Sequence, residues 1–333
     1  MPPSIDSLDL PPFKPRFPWW GADLQTLSVL LQSPGSDMSP HASERICFPM
    51  ADRTGDILLG MLDRPAEPVD GRPLVILVHG LTGCEDSVYI LSAARHLLDL
   101  GYAVLRLNVR GAGPSRAYCG EHYHVGRTAD FRRVLGQLPE ELTHDGIVAI
   151  GYSLGGAMLL KYLGEEGSFS PLRAAATICS PIDLVKTAKH MMRPRNWFYH
   201  NYILNGMKAE ALAAGARISD EERSIVKSAR SVFDHDDRFI SPRYGFRGAE
   251  DYYSLCAPLN FMPEIRVPTM VLAACDDPWI PIEYYREFKW SDNPWLLPVM
   301  PSTGGHVGFH GDSGERPWCD RAIAKFLDQA VKS

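Results

Sequence analysis

One segment constrains this chain more than any other. The short apolar run Gly146-Ile147-Val148-Ala149-Ile150 leads into Gly151-Tyr152-Ser153-Leu154-Gly155, and Gly156-Ala157-Met158-Leu159-Leu160-Lys161-Tyr162-Leu163 follows. The first piece reads as a buried parallel strand and the last as a helix. The backbone between them must turn sharply. Glycines at two-residue spacing on either side of Ser153 leave room where a β-carbon would not fit, and the serine hydroxyl is lifted into the open. Ser153 is therefore the candidate nucleophile. The strand-turn-helix setting carries that reading, since the five-residue pattern alone is weak.

A serine nucleophile needs a base to take its proton and an acid to orient the base. The run Val267-Pro268-Thr269-Met270-Val271-Leu272-Ala273-Ala274 ends in Cys275-Asp276-Asp277-Pro278-Trp279-Ile280-Pro281, which places a carboxylate at the carboxyl end of a strand. Asp276 and Asp277 are adjacent, and both stand as candidate acids. Farther on, Trp295 to Met300 reads as a last edge strand, and the paired glycines of Pro301-Ser302-Thr303-Gly304-Gly305-His306 let a loop bring His306 inward as the base. Leu74 to Val78 reads as another strand and runs into His79-Gly80-Leu81-Thr82-Gly83. The backbone N–H groups of Leu81 and of Leu154, the residue after the serine at a helix start, are the expected oxyanion donors. His79 is expected to brace its loop by hydrogen bonds.

These segments together resemble an α/β-hydrolase, and specifically the YheT-like family of hydrolases and esterases. The resemblance also rests on Phe13-Lys14-Pro15-Arg16-Phe17, Leu24-Gln25-Thr26, Asn108-Val109-Arg110-Gly111-Ala112-Gly113, Tyr123-His124 and Gly304-Gly305-His306-Val307-Gly308-Phe309, and so spans residues 13–309. It implies a Ser-Asp-His hydrolase with a variable lid. The chain order Ser153, Asp277, His306 is the order of that scaffold, unlike the orders in chymotrypsin-like and subtilisin-like proteases. The resemblance also favours Asp277 over Asp276, because an Asp-x-x-x-Pro pattern pairs Asp277 with Pro281.

Strands and helices alternate elsewhere as a mostly parallel sheet requires, with a strand over residues 101–109 and a helix over 128–138. Arg110-Gly111-Ala112-Gly113-Pro114-Ser115 lacks the Lys of a phosphate-cradling loop and reads as a tight turn beside the site. The alternation breaks between residues 180 and 263. The expected organisation is an N-terminal arm packing on the core (1–43), a first core part (44–179), a helical cap or lid (180–263) and a second core part (264–333). Met191, Trp197, Tyr202, Phe239, Tyr252 and Tyr253 are among the cap residues suited to an apolar pocket wall. The aromatics Phe13, Phe17, Trp19 and Trp20 are expected to wrap the surface of the domain.

Three features are read as lacking chemistry. Asp234-His235-Asp236-Asp237 is expected to be a solvated loop, and His122 and His124 would share one face if residues 122–124 were a strand. Gly311-Asp312-Ser313-Gly314 mimics a protease nucleophile loop but has the wrong surroundings. No metal and no cofactor are expected.

With 333 residues, 45% of them apolar, the chain can bury one large core carrying an insertion. A formal net charge of −6 argues against nucleic-acid or anionic-membrane partners. Its seven cysteines form no Cys-x-x-Cys pair and fit reduced thiols in a cytoplasm. No secretory leader or transmembrane span is read from the sequence. The expected function is a serine carboxylic-ester hydrolase that forms an acyl-enzyme on short- to medium-chain acyl esters. The alternatives are an acyltransferase with the same triad, disfavoured because no His-x-x-x-x-Asp occurs, and a non-catalytic binding protein of the same fold.

Overall fold

The computed structural model describes residues 10–31, 38, 40–311 and 316–331. Among these, eight strands form one sheet in the order β1-β2-β4-β3-β5-β6-β7-β8. They are β1 (Ala42–Pro49), β2 (Ile57–Arg64), β3 (Leu74–Val78), β4 (Val104–Leu107), β5 (Ile147–Tyr152), β6 (Leu172–Ile178), β7 (Thr269–Leu272) and β8 (Leu296–Val299). β2 runs antiparallel to both its neighbours, and the strands from β4 across to β8 pair in parallel. The longer helices are α1 (Ala22–Leu31), α2 (Val88–Asp99), α3 (Thr128–Leu135), α4 (Leu154–Glu166), α5 (Leu184–Met191), α6 (Trp197–Leu212), α7 (Asp220–Ser228), α8 (Ala249–Cys256) and α9 (Trp318–Ala330).

Every residue of β3 and of β5 is buried, as apolar parallel strands are when helices cover both faces of the sheet. On one face Ile90, Ala94 and Leu97 of α2 join Ile323 and Phe326 of α9 in one apolar cluster. On the other, Phe131 of α3 and Leu159 and Leu163 of α4 anchor a second. β1 is the outer edge, and its exposed Ser43, Glu44 and Arg45 make a polar border that discourages pairing with another chain.

The topology creates the site. From β3 the chain moves to β4 on one side and then returns past it to β5 on the other, so the loops after β3 and β5 diverge above the strand ends. A crevice opens there. The helices α5 to α8 come between β6 and β7 in the chain. On the N-terminal side, Phe13 packs edge-on against Phe309 and Trp318, with centroids 5.9 and 5.8 Å away. Gln25 of α1 accepts from the His310 N–H at 2.8 Å and donates to its carbonyl at 3.1 Å. Phe17 and Trp20 do not pack as expected; they are 75% and 60% exposed, and they meet edge-on at 5.5 Å. Among the described residues no helix is long and apolar enough to cross a membrane.

Enclosed histidines give the fold a pH dependence. Burial pushes His79, His96 and His310 down to about 4, and His122 and His124 down to about 3. The unfolded chain protonates all five near 6.5, so between about pH 6.5 and 4 it binds more protons than the folded chain. Stability therefore falls as pH falls through that window. Glu210 and Asp320 act in the opposite sense, because burial pushes them up to about 7 and about 6 and the fold keeps their protons. Asp276, whose carboxyl burial also raises, adds to that side, and five groups outweigh three. The melting temperature is expected to be clearly lower at pH 4.5 than at pH 7, and a higher value at pH 4.5 would contradict this assignment.

Candidate active site

Ser153 follows β5 directly and precedes α4 with φ of +50°, a conformation that costs a non-glycine residue roughly 1–3 kcal/mol. The surroundings hold it there. Its N–H donates to the Ile178 carbonyl at 2.8 Å. The flanking glycines are needed for the close approach of neighbouring backbone: a β-carbon on Gly151 would lie 2.5 Å from Gly156 Cα, and one on Gly155 2.3 Å from the His79 carbonyl oxygen.

His306 stands on the loop after β8. Its Nε2 is 3.0 Å from Ser153 Oγ and its Nδ1 is 2.8 Å from Asp277 Oδ2. All three come from sheet-top loops and lie together at the crevice. The carboxylate fixes the tautomer: Nδ1–H donates to Asp277, which leaves Nε2 to accept from the serine hydroxyl. Asp277 Oδ1 in turn accepts the N–H groups of Trp279 at 2.8 Å and Ile280 at 3.0 Å. The adjacent Asp276 has a different task. Its Oδ1 accepts the Gly305 N–H at 2.9 Å, bracing the loop that carries His306, and burial raises its carboxyl above the ordinary range.

Three contributors are given no role by the sequence reading. Thr26 of α1 accepts the His306 N–H on Oγ1 at 2.9 Å. The Trp279 ring stacks on the imidazole at 4.2 Å between centroids. Cys179, at the end of β6 with φ of +51°, lies buried with Asp277 and His306, their ligating atoms all within 4.8 Å of one another. Such a cluster could in principle hold a metal ion. Burial raises the thiol well above its usual range, so it stays protonated, and the other two groups already bond each other.

The loop after β3 is braced as the sequence suggested. The Val109 N–H donates to His79 Nε2 at 3.2 Å, and His79 Nδ1 lies 2.8 Å from the Gly80 carbonyl. The Gly80 and Gly83 amides are engaged within the loop region, by Tyr89 Oη at 3.0 Å and the Gly80 carbonyl at 3.1 Å. Leu81 and Leu154 both border the cavity at Ser153.

Two cavities meet at the serine. The deep one, about 150 Å³, is bordered by Val109, Tyr123, Leu184, Met191, Met207 and Phe239. The outer one, about 240 Å³, is bordered by Thr26, Val29, Val88, Tyr202 and His306. Of the aromatic and Met residues between β6 and β7, Met191, Met207, Phe239, Tyr252 and Tyr253 reach the deep cavity, while Trp197 and Phe198 are exposed.

One expectation needs correction, that for residues 234–237, while residues 122–124 are irregular chain and not a strand. Their backbone is satisfied by side chains: Tyr244 Oη takes the His122 N–H at 2.8 Å and donates to its carbonyl at 3.1 Å. Nor is Asp234-His235-Asp236-Asp237 a solvated loop. It lies in a helical stretch over 232–243 that starts where Ser231 Oγ accepts the Asp234 N–H at 2.9 Å, and His235 and Asp236 are buried on the cavity wall. Of the Gly311-Asp312-Ser313-Gly314 segment, residues 312–314 lie outside the described residues.

Comparison with known proteins agrees with this fold. The sequence profile of the alpha/beta hydrolase fold matches residues 73–313. Phospholipase ABHD3 of Mus musculus is 30% identical over 270 residues, which cover 78% of this chain and 64% of that protein. The chain thus spans just under two thirds of that relative's length. YheT of Escherichia coli (strain K12), named as a candidate esterase, is 30% identical over 279 residues, covering 82% of each chain. Among solved structures, the esterase Pf2001 of Pyrococcus furiosus shares the fold, with a TM-score of 0.59 and 18% identity over 90% of this chain and 96% of that one. Sheet order, the strained serine turn and these matches lead to one conclusion: the chain belongs to the α/β-hydrolase family, among the relatives of YheT.

Proposed function

We propose that this protein is a serine carboxylic-ester hydrolase that works through an acyl-enzyme. The observation that carries the reading is the continuous hydrogen-bonded line from Ser153 through His306 to Asp277, at 3.0 and 2.8 Å. Ser153 Oγ attacks the ester carbonyl as His306 Nε2 takes its proton, and Asp277 stabilises the imidazolium that forms. The N–H groups of Leu81 and Leu154 receive the negative charge on the carbonyl oxygen. His306 then protonates the leaving alcohol, and a water activated by the same nitrogen releases the acid. The names of ABHD3 and YheT as phospholipase and candidate esterase support ester chemistry.

The position of His306 also supports a division of labour between the two cavities. The leaving oxygen must sit beside the imidazole that protonates it, and His306 borders the outer cavity but not the deep one. The alcohol therefore departs through the outer cavity, and the acyl chain occupies the deep one. About 150 Å³ is the size at which an engineered apolar cavity holds benzene, which fits a short to medium chain. Residues 180–263 act as the cap over both. The seven cysteines are unpaired, which supports a reducing, cytoplasmic setting.

Hydrolysis of a p-nitrophenyl ester series from acetate to palmitate tests the reading. Turnover is expected to peak at short to medium chains. Stoichiometric acylation of Ser153 without turnover would replace the hydrolase by an acyltransferase, and no acylation by esters or fluorophosphonate would leave a binding protein.

A further inference from the structure

The turn that carries the Leu81 N–H is strained, and helix α6 lies against it. The Gly83 N–H donates to the Gly80 carbonyl at 3.1 Å, which closes a tight turn over residues 80–83 with Thr82 as its third residue. Thr82 has φ of +59°. Turns whose third residue takes a positive φ normally place glycine there, and a β-branched side chain in that region is an outlier that its surroundings must hold. The turn also lies directly against Ser153: a β-carbon on Gly80 would stand 3.0 Å from Ser153 Cβ. With the Gly80 and Gly83 amides engaged, the Leu81 and Thr82 N–H groups are left without a partner among the described residues.

What presses on Thr82 is the middle of α6. A β-carbon at Gly206 would lie 2.7 Å from Thr82 Cγ2, 3.0 Å from its Cβ and 3.3 Å from its Oγ1. Glycine inside a helix weakens it, and the close approach to Thr82 is what its presence at 206 permits. The same helix reaches the other side of the site. Near its start Tyr199 meets Trp279 edge-on at 5.6 Å, and the Trp279 ring is the one stacked on His306. Asp23 of α1 accepts from Tyr199 Oη at 2.7 Å and from the Arg195 guanidinium at 2.8 Å, while Thr26 of the same helix holds the His306 N–H. Ile203, between the two contact points of α6, borders both cavities.

We infer that α6 sets the oxyanion turn in register with the base, with Gly206 and Thr82 as positioning residues. Their contact keeps Thr82 at positive φ and so keeps the Leu81 N–H aimed at the carbonyl oxygen beside Ser153. The inference rests on the ester-hydrolase reading, since without an oxyanion the turn has no charge to receive. Both residues act through the Leu81 amide rather than on the reacting atoms. A larger side chain at 206 must push the turn, and the harm should then appear in the transition state rather than in binding of the acyl chain.

The test is a double-mutant cycle on p-nitrophenyl butyrate. Gly206→Ala is expected to lower kcat by about tenfold or more with KM within about threefold, because a displaced donor is felt where the charge develops. Inhibition by a trifluoromethyl ketone of the same chain length should weaken in step with kcat. Its carbonyl carbon bonds to Ser153 Oγ, the serine proton passes to His306, and its oxygen is left as the anion. The melting temperature should stay close to that of the wild type, since alanine is the better helix former. Thr82→Gly removes all three atoms in the way and takes a positive φ unaided, so it should cost only about threefold, and adding Gly206→Ala to it should cost no more than about a further twofold. The double variant would then be faster than Gly206→Ala alone. Where Ser153 is acylated without turnover, its acylation rate is read in place of kcat. A rise in KM at unchanged kcat, or the same loss from Gly206→Ala with and without Thr82→Gly, would overturn the inference and make Gly206 a packing residue of α6 alone. No loss in Gly206→Ala would overturn it too, with the hydrolase reading left standing. Neither turnover nor acylation of Ser153 in the wild type would overturn both.

Discussion

Replacing Ser153 with Ala is expected to lower kcat for ester hydrolysis by at least about 10³-fold while leaving the melting temperature close to that of the wild type. The size follows from what is removed. The hydroxyl is the only part of the side chain that differs, so the β-carbon, the φ of +50° and the bond from the Ser153 N–H to Ile178 all remain. Stability is therefore spared. On the proposed mechanism the acyl-enzyme cannot form, and only binding and the proposed oxyanion donors remain to assist water, as in triad enzymes that lack their nucleophile. Fluorophosphonate labelling followed by intact-mass measurement gives an independent reading, with one adduct expected on the wild type and none on the variant. Turnover within about tenfold of wild type would rule out Ser153 as the nucleophile.

Much of this site was legible because its parts are local. A strand, a serine turn and a helix are contiguous in the chain, and the glycines that make the turn possible sit beside it. The helix begins at Leu154, because the turn feeds straight into it. β3 was plain as five consecutive apolar residues. β1 was not, because an edge strand whose side chains are mostly exposed lacks an apolar pattern. The parts that escaped the sequence reading are those defined by distant pairs. Thr26 meets His306 across 280 positions, and Cys179 reaches Asp277 only because β6 and β7 are neighbours in the sheet. His122 and His235 each look like an isolated histidine in the sequence. Only the return of the chain between β6 and β7 puts both on one cavity wall.

The choice between two adjacent carboxylates yields the second large effect. Asp277→Asn is expected to lower kcat by about 10⁴-fold, whereas Asp276→Asn should stay within about tenfold of wild type. The backbone dictates which way the new amide points. The Trp279 and Ile280 N–H groups both donate to Asp277 Oδ1, so the carbonyl oxygen of Asn must occupy that place and its NH₂ must take the place of Oδ2. The NH₂ then donates to His306 Nδ1, which is forced to accept. The ring proton moves to Nε2, facing Ser153 Oγ, and the proposed base is lost without any change of shape. At Asp276 the same substitution is mild, because the Gly305 N–H needs only an acceptor and an Asn carbonyl supplies one. Measuring kcat for both variants on one ester decides the assignment. A large loss in Asp276→Asn with little change in Asp277→Asn would reverse it, and His306 would then have to take its orientation from the braced loop rather than from the carboxylate it touches.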